Sequence, residues 1–448
     1  MPSPETIQFL SVLAAFSLLA MGFASSIFGV LAYFIVMATR MGLYYPSLGG
    51  IRIELVVALI VLLQVFLRKG ALQKLRPSYN IVNRYMFLFL AVIFLSFFQA
   101  FDYQTSWHNG VREFLKTFCF YLMILASIDS ERKIRIFLWA FCFLTVFMGY
   151  EGVYSALTGA ARYAFRDIDI GVASRGFASG HVAAANIQLQ CLPIVLVLAQ
   201  GHSRRLFRAT AALLAGLSVA IVIATGSRGG FAGLIFLMIL SVYFAKRRLP
   251  AIAACSVLFL VSLAFLSDSY LAWMRTILSP SDLSAESRIL GLLNGIDMLV
   301  RRPLLGVGPE CYPVARKAWF GWGLHAHNHL GQLLGDLGLI GTVVWGLFLY
   351  QVFMNLRKAK AAFDPNDPAD RQMVLIVTGL QMALWVRLFE GYGSHSLYIF
   401  FWYLVAALSI ALRKTAEERG RTAEEDRSAA ATSPAPLDAC LRDLRPTG

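Results

Sequence analysis

From Thr6 to Leu412 the chain is a succession of apolar runs separated by short polar loops. A run of about 20 apolar residues is what crossing a ~30 Å hydrocarbon layer requires. Many such runs in one chain leave little choice of fold, because only helices satisfy their own backbone inside lipid as single segments. The runs fall at about 6–22, 25–39, 51–67, 84–100, 111–128, 136–157, 187–200, 209–224, 231–245, 250–267, 330–354, 373–389 and 396–412. The first two are close enough to form a hairpin, so the expectation is an all-α polytopic membrane protein with 12 or 13 transmembrane helices. The composition agrees: 58% of residues are hydrophobic and 15% charged, with a mean hydropathy of +0.64. The run Thr6–Ala38 lacks a basic leader and a small-residue cleavage site, so it does not read as a signal peptide.

The net charge of +14 would suggest nucleic acid in a soluble protein. Here the cations sit in short loops between apolar runs, at 68–76, 129–135, 202–208, 246–248 and 357–360, so membrane orientation explains them and nucleic acid is not a partner. They also suit an anionic lipid surface. From Arg68 onwards every Lys/Arg-dense loop falls on one side, the cytoplasmic one. The six cysteines are scattered without a CxxC pair, which argues against a metal or disulfide framework. No internal repeat is evident, which weakens a transporter. The longest outer loop spans 268–324. The tail 413–448, dense in charge and poor in apolar residues, reads as disordered.

Chemistry-bearing residues gather on the outer side. Arginine is scarce there under the orientation rule, yet Arg175, Arg228 and Arg288 fall on outer loops or their edges. A guanidinium stays charged and donates two parallel hydrogen bonds, which suits phosphate. Arg228 sits in ATGSRGGFAG, a sharp turn where glycines allow close backbone approach and Ser227 or Thr225 can cap the next helix. A helix N-terminus beside an arginine is an anion site; the alternative is a cation snorkelling at a span end. Arg288 opens SRILGLLNGIDMLV, whose apolar residues recur at helical spacing, giving an amphipathic lid helix over about 284–300 with Ser284 as its cap. Arg175 precedes GFASGH and is as readily a plain loop charge.

The stretch HAHNHLGQLLGDLGLIGT places His325, His327 and His329 at the mouth of an apolar run. A neutral imidazole can take a proton from a hydroxyl near neutral pH. His325 and His329 read as interfacial hydrogen-bonding residues; a metal site lacks supporting ligands nearby. Asp336, nine residues past His327, falls on the opposite helix face. Gly331, Gly335, Gly338 and Gly341 read as a close-packing surface, and Arg387 with Glu390 as a structural ion pair.

These residues resemble a known family. His327-Asn328, nine residues, then Gly338-Leu339-Ile340-Gly341 is similar to the H-[N/S/Q]-x9-G-x-x-G pattern of bacterial O-antigen ligases. Arg288-x3-Leu292 resembles their outer-loop R-x3-L pattern. SRGG at Ser227–Gly230 and PLLGVGPE at Pro303–Glu310 resemble segments of the wider O-antigen ligase and polymerase superfamily. The resemblance implies a GT-C-like transmembrane domain over 1–412. It implies an inner-membrane glycosyltransferase that moves a glycan from undecaprenyl diphosphate to an acceptor hydroxyl on the periplasmic side, inverting the anomeric centre without metal or other cofactor. Carried over by position, His327 is the base, Arg228, Arg288 and less surely Arg175 hold the diphosphate, and Asn328 and Asp336 support them. The acceptor implied is lipid A-core or a comparable one. A polymerase using a second lipid-linked repeat, a protein O-oligosaccharyltransferase and, in a different class, a lipid-linked glycan flippase are the alternatives.

Overall fold

The computed structural model describes residues 4–39, 53–149, 181–201, 204–264, 283–365 and 367–432. Among the described residues there are helices and irregular segments and no strand. In chain order the longer helices are α1 (Pro4–Met21), α2 (Ser26–Thr39), α3 (Ile53–Phe66), α4 (Ile81–Phe97), α5 (Arg112–Ser127), α6 (Glu131–Met148), α7 (His181–Gln200), α8 (Arg205–Ala224), α9 (Arg228–Phe244), α10 (Arg248–Ala264), α11 (Leu283–Arg301), α12 (Tyr312–Phe320), α13 (His329–Ala362), α14 (Pro368–Gly391) and α15 (Phe401–Thr432). Within the described residues, each apolar run read from the sequence overlaps one of these helices. Among the described residues, four segments are long and apolar enough to cross a membrane: Val182–Gln200, Arg205–Ala224, His329–Ala362 and Asp370–Gly391. Shorter apolar helices, among them Ser26–Thr39, Ile53–Phe66 and Ile81–Phe97, accompany them.

The packing follows from which faces are apolar. Residues 401–412 are apolar nearly all round, and a helix of that kind belongs in the centre. Trp402 and Tyr403 are buried there, with α5, α6, α13 and α14 around them. Outer helices present apolar stripes instead, such as Leu55, Leu59 and Leu63 on α3 and Leu339, Val343, Leu347 and Tyr350 on α13, all exposed. Exposed stripes at helical spacing over long helices are surfaces made for lipid.

The bundle has two chemically different ends. At one end the basic loops meet. Lys74 pairs with Asp129 at 3.1 Å, Arg135 Nη1 donates to Gln372 at 3.1 Å, and Arg413 Nη1 donates to Asn355, which in turn donates to Asn80. Arg419 pairs with Glu131 and Asp370. These ties explain a departure from expectation. The tail was expected to be disordered from Arg413, but α15 continues to Thr432. The Arg413–Glu417 pair at 2.8 Å and the Lys414–Glu417 pair at 2.9 Å support it at helical spacing. Residues 433–448 lie outside the description.

At the other end one long helix is broken to receive a loop. Gly338 interrupts α13 at φ 63° and ψ −159°, a conformation open to glycine alone at no steric cost. The break frees backbone groups, and the segment Pro303–Gly308 takes them. Val307 N donates to Gly335 O at 2.8 Å, Gly308 N to Asp336 O at 3.0 Å, Leu339 N to Pro303 O at 2.8 Å and Ile340 N to Leu304 O at 3.1 Å. Ser96 of α4 donates its hydroxyl to Leu305 O at 2.7 Å and clamps the loop from the far side. The glycines at 331 and 335 are a packing surface as expected: a Cβ on Gly331 would strike Gly291 O of α11, and one on Gly335 would meet Tyr312 at 2.6 Å. Gly338 serves the break as well.

Candidate active site

The stretch around His327 is held open by two devices. Asn328 caps α13, its side chain accepting from Gly331 N at 2.9 Å, and its amide donates to Tyr392 O at 3.4 Å. His327, one residue earlier, takes a left-handed backbone with φ 45°. A non-glycine residue there costs about 1–3 kcal/mol, and such residues concentrate at functional sites. Glu310, at φ 57°, is the other non-glycine residue with positive φ among those described. Both line one cavity of about 720 Å³.

Arg288 and Arg228 line that same cavity. α11 carries Arg288 there because Gly291 and Gly295 let it lie against 326–331; a Cβ on Gly291 would collide with Ala326 O. α11 begins at Leu283, which places Ser284 in its first turn. Its exposed Ile289, Leu293, Ile296 and Val300 form an outward apolar stripe. Arg228 is the first residue of α9, and Ser227 caps that helix by accepting from Gly230 N at 3.1 Å. Gly226 makes the turn at φ 61°. A cation at a helix N-terminus opposes the helix dipole. Arg228 is only 8% exposed. Arg175 lies outside the described residues.

The structure separates the three histidines. His327 alone of them lines the cavity. His329 turns into the bundle, its Nδ1 3.0 Å from Ser396 Oγ and its ring between Trp345 and Trp402. His325 stacks on His395, ring centroids 4.3 Å apart and nearly parallel, and His327 meets the same ring edge-on at 5.4 Å. Among the described residues no three His, Cys, Asp or Glu side chains gather as a metal site. Burial, with His325, Arg288 and Arg316 nearby, lowers the His327 pKa below the ordinary histidine value. Burial holds His395 down to about 3 and raises Glu310 to about 7. Glu310 Oε2 lies 3.7 Å from His325 Nδ1, and Gln332 Nε2 donates to Glu310 Oε1 at 2.9 Å.

Asp336 is not among the residues that line the cavity. Fully buried, its carboxylate accepts from Tyr312 N at 2.9 Å and Glu310 N at 3.1 Å. It fixes the turn that carries Glu310 and opens α12. Arg387 and Glu390 form the expected pair at 3.1 Å, but Arg387 also lines the cavity. Asn109, Gln190, Glu310 and His395 are cavity residues that the sequence reading left without a role. His395 was obscured because 396–412 reads as a span, whereas α15 starts only at Phe401. The one available signal for Glu310 was its place in PLLGVGPE.

The described helices thus form an all-helical bundle with a cavity at one end, lined by Arg228, Arg288, Arg387 and His327. Residues 210–346 match the family model described as O-antigen ligase, which supports the O-antigen ligase-like superfamily and, in general terms, an enzyme of lipid-linked glycans. The match includes Arg228, Arg288, His327, Asn328 and Asp336. No curated protein matches the chain.

Proposed function

We propose that the chain is an inner-membrane glycosyltransferase of the O-antigen ligase type, moving a glycan from undecaprenyl diphosphate to an acceptor hydroxyl at the periplasmic face. The observation that carries this is the convergence of Arg228, Arg288 and His327, from three distant segments, on one cavity. The two guanidiniums hold the diphosphate. His327 takes the proton of the acceptor hydroxyl as its oxygen attacks the anomeric carbon. The carbon–oxygen bond to the diphosphate breaks on the opposite face, inverting that centre, and the lipid diphosphate leaves with its charge matched by arginine. His327 returns its proton to solvent. Lipid A-core or a comparable glycan is the acceptor. The helices make 12 or 13 crossings of GT-C-like form, with the basic end and α15 in the cytoplasm. The exposed stripe of α11 lies on lipid beside the cavity mouth.

The test is donor binding by Arg288 variants, measured with purified protein and a polyprenyl-diphosphate glycan. Bidentate contact predicts that Arg288→Lys loses nearly as much affinity as Arg288→Ala, on the order of 1.5–3 kcal/mol for a charged hydrogen bond. Full rescue by lysine would reduce the role to simple charge, and wild-type affinity in both variants would remove Arg288 from the site.

A further inference from the structure

Two residues that line the cavity carry buried polar atoms that no part of the described protein satisfies. Gln190 lies nine residues into α7, about 13 Å from its start, and is 1% exposed. Its Nε2 donates to Glu390 Oε2 at 2.8 Å. That carboxylate contact fixes the amide's orientation, so Oε1 is the free acceptor, and it has no partner. Arg387, also 1% exposed, spends Nη1 on the same Glu390 oxygen at 3.1 Å. Its guanidinium carbon lies 5.7 Å from the Trp402 ring centroid, and its Nε and Nη2 have no partner. Glu390 Oε1 is likewise unpartnered. Gln190 and Arg387 both line the cavity. Buried polar atoms are almost always hydrogen-bonded, so several orphans in one place mark a missing ligand.

The kind of orphan says which ligand. A diphosphate oxygen only accepts, and Gln190 Oε1 and Glu390 Oε1 would repel it. Glu390 also cancels the charge of Arg387. A hydroxyl both donates and accepts, and vicinal hydroxyls on a ring meet two donors and two acceptors together. We propose that Gln190 and Arg387, positioned by Glu390, form the subsite that reads the hydroxyls of the donor's first sugar, deeper in the bundle than the diphosphate. The inference rests on the transferase reading and names the part of the donor that this wall recognises.

The experiment compares two probes on the intact protein: a polyprenyl diphosphate bearing one sugar, and the same lipid diphosphate without it. Gln190→Leu should weaken the sugar-bearing lipid about tenfold, the value of one hydrogen bond near 1.4 kcal/mol, and leave the sugar-free lipid unchanged. In transfer assays the same variant should raise the donor KM and leave kcat within about twofold, whereas loss of a reacting group lowers kcat. Equal weakening of both lipids, or no change in either, overturns the subsite. If Gln190→Leu fails to fold, Gln190→Asn, which keeps the amide and shortens its reach, should give the same selective loss. Were the wild type to bind both lipids but transfer nothing, the transferase reading would fail while the binding difference still judged the subsite.

Discussion

Glu310 combines three costs at one residue: a left-handed backbone, burial, and a carboxyl pushed to about 7. The backbone is fixed by Asp336 through Glu310 N, and the side chain by Gln332 and the neighbouring His325. A carboxyl raised from 4.5 to about 7 binds its proton more tightly in the folded state. Folding stability therefore falls as pH climbs from about 4.5 to 7. Glu310→Gln keeps an acceptor for Gln332 and removes the titration. Thermal unfolding should show the variant gaining on wild type between pH 4.5 and 7, with no further gain above. A difference independent of pH would contradict the burial argument. Part of the cavity lining was legible in the sequence: a histidine and two arginines stand out against apolar surroundings. His395 and Gln190 did not, because their importance comes from what meets them, and Arg387 reads from the sequence only as half of an ion pair. Gln190 is an ordinary helical glutamine until Glu390, 200 positions later, orients its amide.

At the scale of elements, the broken α13 is the joint on which the site depends. Gly338 carries the break, the loop Pro303–Gly308 binds to it, and that loop leads directly to Glu310 and α12. A Cβ at Gly338 would stand 2.6 Å from Gly306 N and 2.7 Å from Leu304 C, on a backbone of φ 63°. Gly338→Ala should unfold at clearly lower temperature, by several kcal/mol of combined strain and lost loop contacts. Gly346→Ala, eight residues on with open space around its Cβ, should be neutral or slightly stabilising by helix propensity. Similar unfolding temperatures for the two variants would remove the break from its structural role. The amphipathic α11 could be read from apolar spacing alone, and its observed span, Leu283–Arg301, is close to the 284–300 expected. The break in α13 could not, since a glycine in a helical pattern gives no sign of which carbonyls a distant loop will claim. The ordered start of the tail was missed for a related reason: Arg419 finds Glu131 and Asp370 only in the folded bundle.

Across the whole molecule, the alternation of basic loops foretold an arrangement with two unlike ends, and the helices have it. Lysine- and arginine-bearing loops meet at one end, and the cavity opens near the other. Sidedness can be read by labelling single cysteines with a membrane-impermeant maleimide in intact spheroplasts. Lys317→Cys, exposed on α12, should label from outside, and Lys358→Cys, exposed near the end of α13, only after lysis. Labelling of Lys358→Cys in intact cells would invert the orientation. The central claim, that His327 activates an acceptor beside an arginine-held lipid diphosphate, is tested most directly by glycan transfer with purified protein as a function of pH. The account predicts that His327→Ala abolishes transfer while unfolding normally, that His325→Ala retains it, and that the wild-type rate falls on acidification with a midpoint below the usual histidine value of 6.5. Substantial transfer by His327→Ala, or an acid midpoint at or above 6.5 unaffected by that substitution, would contradict it.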